Sequence, residues 1–490
     1  MNIEKLAPRP VWAHFATLCE IPRASCHEAA LIEHLSGWAT AHGITAVTDA
    51  VGNLILTKTA SPGCETAAGV ILQAHLDMVC QANSGTLHDF LTDPIRVAIE
   101  DGWVLAPDTT LGADNGIGVA LALAALEDES LAHPAIEVLL TVNEESGMDG
   151  ARGLAPGTLQ GKTLINLDTE EWGHFYLGCA GGVDVEVRHD CEPGALPQGY
   201  AVVRLQVSGL RGGHSGIDIH LGRGNAIRLI AEALRDLSEH ADLHLIELGG
   251  GTARNAIPRE AYALCALPVE IAANIDIWVR HRLDAWRKRF AGVDAGVDFS
   301  CMHYDALPDC GIARDDRDRL LAFITSSANG VWRISEDFPG VTDTSSNLGV
   351  ARLAAGKFSA TFKVRSLADE RADLLAGKTV DYAESYGLHA CKDGAYPGWT
   401  PNPASALLAL CQRVYTGQFG APASLQVIHA GLECGLLAAS HPHLDMISFG
   451  PDIRGAHAPG ERVEIASVER CWRLLCAVLT ELAGVDARAG

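Results

Sequence analysis

Positive charge is scarce in this chain: 37 Lys and Arg stand against 61 Asp and Glu in 490 residues, a formal net charge of −24. Binding to a phosphate backbone draws its affinity from clustered Lys and Arg that release counterions, so a nucleic-acid partner is excluded, and no polybasic run marks a membrane anchor. Long apolar runs are missing too. The longest, Ile117–Leu126, is far short of the ~20 residues that span a bilayer, and Met1–Val11 has no apolar core of signal-peptide length. A cytoplasmic location is therefore expected. None of the 14 cysteines forms a C-x-x-C pair; scattered singly, they read as buried thiols of a reducing compartment and not as a disulfide framework. No repeat of fixed period and no low-complexity tract is present.

What is present is apolar residue in quantity, 48% of the chain, and enough length for about two to four domains. Leu31, Ile32, Leu35 and Trp38 fall at helical spacing, with Gly43 where a helix would stop. Continuous apolar runs at 69–72, 136–142 and 163–167 alternate with helix-like or loop sequence, the pattern of buried strands in a mostly parallel sheet. The fold class predicted is α/β, a mostly parallel mixed sheet flanked by helices. Asn115–Leu126, opening after an acidic residue, reads as a helix. Loop composition around 184–200 is followed by alternation at 201–207, and Phe358–Val364 reads as a strand before a helix over Ala368–Tyr386. The Gly/Pro-rich segment 393–403 precedes a helix over Ala404–Tyr415. The reading is a catalytic domain in two parts, 1–190 and 393–490, split by an inserted α+β lid and dimerisation domain, 191–392.

Metal-type ligands close several apolar runs: His75 and Asp77 in QAHLDMV, Asp114 in LGADNGIG, Glu144 and Glu145 in TVNEESG, Asp168 in INLDTEE, with His457 in the Gly/Pro-flanked loop GPDIRGAHAPGE. Ligands of an open parallel sheet gather beyond the carboxyl ends of its strands, so three of these segments would deliver their acids to the same edge. Singly each has a bland reading, a core histidine, a solvated turn or a helix cap. Adjacent carboxylates after a buried strand need partners or metal to be tolerated. The mixed N/O donor set suits zinc, manganese or cobalt, and two ions ~3.5–4 Å apart are held by a shared carboxylate. Two histidines and three acids then give each metal one His and one terminal acid, with one acid bridging. One glutamate is left over. Successive side chains of an extended segment point oppositely, so Glu144 and Glu145 are expected to serve different roles.

These segments, together with GCAGG, GLRGGHSGIDIHLGRGNA, NAIPRE, YPGW and VIHAGLECG, resemble from end to end the aminoacyl-histidine dipeptidases, the bacterial carnosinase type within the dinuclear-zinc metallopeptidase clan. The resemblance implies two zinc ions, with cobalt or manganese as substitutes, held by His75, Glu145, Asp168 and His457 with Asp114 bridging. It implies that Asp77 orients His75, that Glu144 is the general base, and that the peptide bond after Asp114 is cis. It implies that His214 helps to stabilise the oxyanion and that Asn255 and Arg365 hold the substrate's C-terminal carboxylate, for which a planar guanidinium fork is suited. His429 and Glu433 are read as shaping the specificity pocket. The expected reaction is hydrolysis of Xaa-His dipeptides such as β-Ala-His (carnosine) by a homodimer. Two positions depart from the family pattern: Ala458 precedes Pro459 where relatives carry Ser, and Asp343 precedes Thr344 where they carry Glu. The rival readings are a broader di- or tripeptidase, an aminoacylase or a deacetylase of the same clan, and a noncatalytic zinc-binding scaffold, which the intact ligand set argues against.

Overall fold

A computed structural model describes residues 3–304, 308 and 310–484. It divides into two compact units: Met1–Gly178, Trp399–Val427 and Leu432–Gly490 form the first, Cys179–Gly398 and Ile428–Gly431 the second. The passage at Cys179 comes earlier than the expected 190/191, and the return at Trp399 later than 392/393. The reason is strand Gly181–Asp190, most of which lies in the segment 184–200 whose composition predicts loop. It lies between Lys357–Ser366 and His389–Tyr396 in the second unit's sheet, paired with both.

The first unit is built on an eight-stranded sheet. Its centre is parallel: Val70–His75 pairs in parallel with Ile136–Thr141 and Thr163–Asn166, and the latter with Asp445–Ser448. Toward the edge, Leu54–Lys58 pairs antiparallel with Ile136–Thr141 and with Thr45–Thr48, so the sheet is mixed. Every residue of Val70–His75 is buried, which is why its opening residues Val70–Leu72 read as a continuous apolar run. Helix Ala29–Ala41 buries Leu31, Leu35 and Ala39, and Gly43, at φ +67°, follows it in the left-handed conformation that ends many helices. Helix Ala113–Glu127 is buried almost throughout, but Asp114 and Asn115 are not helical, so regular geometry begins at Gly116. The helix expected from 404 starts at Ala406, where the Ser405 side chain accepts the Leu408 N–H, and runs on to Phe419.

The second unit carries a nine-stranded sheet in which Asp298–Tyr304, Tyr200–Ser208, Ala261–Pro268, His244–Gly250, Thr342–Ala354, Lys357–Ser366, Gly181–Asp190 and His389–Tyr396 follow one another, and Gly330–Ile334 pairs with Thr342–Ala354. These pairings are antiparallel. Helices Ala226–His240, Ile275–Arg289, Arg314–Ser326 and Asp369–Ser385 share its hydrophobic core. Among the described residues no helix is long and apolar enough to cross a membrane.

Candidate metal centre

The carboxyl ends of the parallel strands deliver the site. His75 is the last residue of Val70–His75, Asp168 lies two residues beyond Thr163–Asn166, and Glu144 lies three beyond Ile136–Thr141. Glu144 and Glu145 stand on a short helical turn, Glu144–Gly147, and not on extended backbone as predicted. Consecutive residues on a helix diverge by about 100°, so the two carboxylates still part ways. His457 comes from its own loop at φ +64°, a left-handed conformation that residues with a β-carbon adopt at a cost and that is common where a functional side chain must be aimed.

Asp114 sits between two groups. Its Oδ1 is 3.1 Å from His75 Nε2, which is 3.4 Å from Asp168 Oδ1. Its Oδ2 is 3.1 Å from His457 Nε2, which is 3.0 Å from Glu145 Oε2. One carboxylate thus faces two imidazole–carboxylate pairs, one on each oxygen. Single ligand atoms of His75, Asp114 and Glu145 all lie within 4.8 Å of one another, close enough to hold a metal ion. Glu145 Oε1 is buried without a hydrogen-bond partner among the described residues. An orphaned buried oxygen in an all-N/O donor set fits a divalent cation of the zinc, manganese or cobalt type.

Asp77, expected to orient His75, holds this geometry together with residues that local sequence did not single out. The Asp77 carboxylate accepts the Glu144 N–H at 2.9 Å, the Glu145 N–H at 3.1 Å and the Ser25 hydroxyl at 2.7 Å, and lies 3.4 Å from His75 Nδ1. Asn115, after a cis Asp114–Asn115 bond, donates to Leu167 O at 2.7 Å and accepts the His75 N–H at 3.3 Å, tying three ligand-bearing segments together. Buried Arg23 donates to Leu76 O, Asp77 O and Gly112 O. Glu461 accepts the N–H groups of Leu111, Gly112 and Asp114 at 2.8, 2.9 and 3.1 Å, locking the loop after His457 onto the loop of Asp114. Gly112 is required there: at φ +71° a β-carbon would lie 2.8 Å from Met78 Sδ. The partners of Arg23, Asn115 and Glu461 lie tens to hundreds of positions away, so no local motif could reveal them.

The electrostatics follow from burial against charge. Burial opposes a charged His75, yet Asp168 and the hydrogen bonds to Asp114, Asp168 and Asp77 raise it well above the usual imidazole range. Hydrogen bonds to Asp114 and Glu145 push His457 up to about 11. Asp114 is held low by those same imidazoles in spite of its burial, whereas burial, helped by Asp114 and Glu145, pushes Asp168 up to about 6. Asp77, for all its burial, is held at about 2 by His75, Ser25 and the Glu144 N–H. Burial, then Asp168, Glu433 and Glu145, raise Glu144 well above the usual carboxylate range.

The remaining predicted residues lie in the second unit, Glu433 excepted. His214 is on the short strand Gly213–His214, paired with Ala256–Ile257. Its Nε2 is 3.4 Å from Arg365 Nη2, and Arg365 also donates to Tyr396 Oη at 2.6 Å and Ser215 Oγ at 3.4 Å. Burial and Arg365 lower His214 to about 4. His429 Nε2 is 2.8 Å from Ser345 Oγ, and burial with the Arg365 charge lowers it to about 3. Asn255 is exposed; its carbonyl accepts the Ser215 N–H at 2.8 Å. The departure at Asp343 has a local use, since its carboxylate takes Arg371 in two places, at 2.9 and 2.7 Å. Glu433, read together with His429 in the sequence, falls in the other unit. It belongs to the first unit and is fully buried.

Residues 71–481 match the family model of peptidase family M20/M25/M40, and the chain belongs to that family. It is a metallopeptidase by that membership. It is 41% identical over 481 residues, 98% of this chain and 99% of the relative, to the cytosol non-specific dipeptidase of Escherichia coli (strain K12). Among solved structures it is similar to the aminoacylhistidine dipeptidase of Vibrio alginolyticus, with a TM-score of 0.88 at 41% identity over 98% of each chain. Human carnosine dipeptidase 1, at 11% identity and a TM-score of 0.51 over 97% of this chain and 96% of its own, shares the fold.

Proposed function

We propose that this chain is a cytoplasmic dipeptidase that hydrolyses Xaa-His dipeptides, β-Ala-His among them, with two divalent cations, zinc in first place. The observation that carries the reading is the division of Asp114: one oxygen toward His75 and Asp168, the other toward His457 and Glu145. His75 and Asp168 would hold one ion, His457 and Glu145 the other, with Asp114 shared. Bound there, the ions supply Lewis acidity toward the scissile carbonyl and a lowered pKa for water. The chain's own residues do the rest. Asp77 fixes the ring of His75 and, through two backbone N–H groups, the turn that presents Glu144 and Glu145. Glu144, whose buried carboxyl has a raised proton affinity, takes the proton from the attacking water and returns it to the leaving amine. His214, kept uncharged, is assigned as donor to the developing oxyanion, and Arg365 with Asn255 to the substrate carboxylate.

A second reading, a dipeptidase without preference for His, draws on the name of the Escherichia coli relative. A hydrolysis panel with zinc, cobalt and manganese separates the two: β-Ala-His and Gly-His against dipeptides lacking His, tripeptides and N-acyl amino acids. Faster turnover of the His-ending dipeptides is expected, and equal rates across the panel would remove the Xaa-His assignment. The chain is further assigned as a homodimer, which sedimentation showing only monomer would overturn.

A further inference from the structure

Beneath the strand ends that carry the ligands runs a buried polar row that the proposed chemistry does not use. Gln73, Asn166 and Ser448 are register partners on three adjacent parallel strands, so their side chains emerge on one face of the sheet. The Asn166 amide donates to Gln73 Oε1, and Ser448 Oγ donates to Asn166 Oδ1. Asn166 Oδ1 also accepts the N–H of Asp168 at 3.2 Å. At the other end Gln73 Nε2 donates to Glu433 Oε2 at 2.6 Å, and the same oxygen accepts Thr141 Oγ1 at 2.6 Å. Thr141 pairs across the sheet with His75 and closes the strand that leads to Glu144 and Glu145. All five side chains are buried, Glu433 completely, and its Oε1 has no hydrogen-bond partner among the described residues.

A fully buried carboxyl is costly to keep unless its hydrogen bonds are put to use. One Glu433 oxygen, 2.6 Å from each of two donors, ties the strands that carry Gln73 and Thr141 to each other. Gln73 is two residues before His75, Asn166 two before Asp168, and Thr141 four before Glu145. A displacement of any of them is passed to a ligand along the same strand. We infer that Glu433 is a positioning residue for the metal centre: as the shared acceptor of Gln73 and Thr141 it holds the strand ends bearing His75, Glu145 and Asp168 at the spacing a cation requires. The inference rests on the metal centre proposed above.

The test compares Glu433→Leu, Glu433→Gln and Thr141→Val with the wild-type chain, by calorimetric titration with Zn²⁺ alone and by steady-state kinetics on a dipeptide that the wild type hydrolyses. Glu433→Leu is expected to bind Zn²⁺ roughly 10–100-fold more weakly, the range for residues behind metal ligands, and to lose kcat with KM little changed. Thr141→Val loses less. Glu433→Gln keeps an oxygen acceptor for both donors and recovers most of both losses. A folded Glu433→Leu with wild-type Zn²⁺ affinity and kcat overturns the inference, as does a Glu433→Gln as impaired as Glu433→Leu. If Glu433→Leu does not fold, Thr141→Val and Gln73→Met carry the test, and unchanged Zn²⁺ affinity in both overturns it. A wild-type chain that binds no Zn²⁺ removes the metal centre and this inference together; wild-type binding that the variants leave untouched removes this inference alone.

Discussion

Among the described residues, metal-type side chains converge in two places, and one of them has the charge balance of a metal site. In the first unit, Asp114, Glu145 and Asp168 have ion pairs, among the described residues, only with the imidazoles of His75 and His457. In the second, His189, Cys191 and Asp316 bring ligand atoms equally close. There, however, Asp316 Oδ1 is 2.9 Å from His189 Nε2 and 2.7 Å from Arg319 Nη1, while its Oδ2 accepts the Glu192 N–H at 2.7 Å. Burial, with Asp316 and Asp190 nearby, pushes the Cys191 thiol up to about 12, away from the thiolate that binds metal. A guanidinium already neutralises the single carboxylate of the second cluster. Excess carboxylate without Lys or Arg, more than the gathering of ligand types, is what calls for a cation.

The comparison breaks most directly at Asp114. Asp114→Ala removes the carboxylate common to both imidazole groups and is expected to abolish turnover and to lower Zn²⁺ uptake from about two equivalents per chain, measured by equilibrium dialysis. Retention of both equivalents would mean that the shared carboxylate does not organise the centre. Glu144→Gln sharpens it: the proton carrier is lost while the ligands remain, so kcat is expected to fall roughly 10²–10⁴-fold with Zn²⁺ content unchanged. Near-normal turnover in that variant would remove Glu144 as the base.

Next in size is Glu461→Ala. It leaves the N–H groups of Leu111, Gly112 and Asp114 without their acceptor in a buried loop, and a loss of roughly 3 kcal/mol or more is expected in chemical denaturation. A loss under about 1 kcal/mol would show that Glu461 does not fix the Asp114 loop. This residue also marks where sequence reading stops. His75, Asp114, Glu144, Glu145, Asp168 and His457 each stand at the end of an apolar run or in a Gly-rich loop, and local pattern is enough to find them. Glu461, Arg23 and Asn115 act on backbone groups that only the folded topology brings near, and nothing in their local sequence sets them apart from a loop acid, a surface cation or a turn. Glu433 misled for the same reason, since its nearness to His429 in sequence says nothing of the side of the unit boundary on which it folds. Loop composition around 184–200 hides the strand Gly181–Asp190, whose pairing on both edges outweighs that composition.

Charge balance also predicts an opposite sign where an imidazole faces a cation. His429 is buried near Arg365 and held at about 3, against an ordinary value of 6.5. Between those values the unfolded chain binds the proton that the folded chain refuses. The stability His429 contributes is therefore complete above pH 6.5 and is lost as pH falls toward about 3. On acidification from neutrality the wild-type unfolding midpoint should drop more steeply than that of His429→Gln, which has no such proton to take up. Parallel curves for the two would show that His429 is free to charge in the folded chain.

The smallest effect is expected at the second cluster, where it decides the comparison. His189→Ala leaves Asp316 with the Arg319 guanidinium and the Glu192 N–H, so the buried carboxylate stays compensated and the cost should be about 1 kcal/mol. Zn²⁺ stoichiometry and turnover should both match the wild type, because a cation entering between His189 and Asp316 would have to displace Arg319 and lie beside its charge. At ~4 Å, two like unit charges repel by several kcal/mol at the effective dielectric of a protein surface, and Asp316 cannot compensate the guanidinium and a cation together. A wild-type chain that takes up a third equivalent, lost in His189→Ala, would show that ligand type outweighs charge balance in this fold, and that the guanidinium beside Asp316 moves aside for the metal.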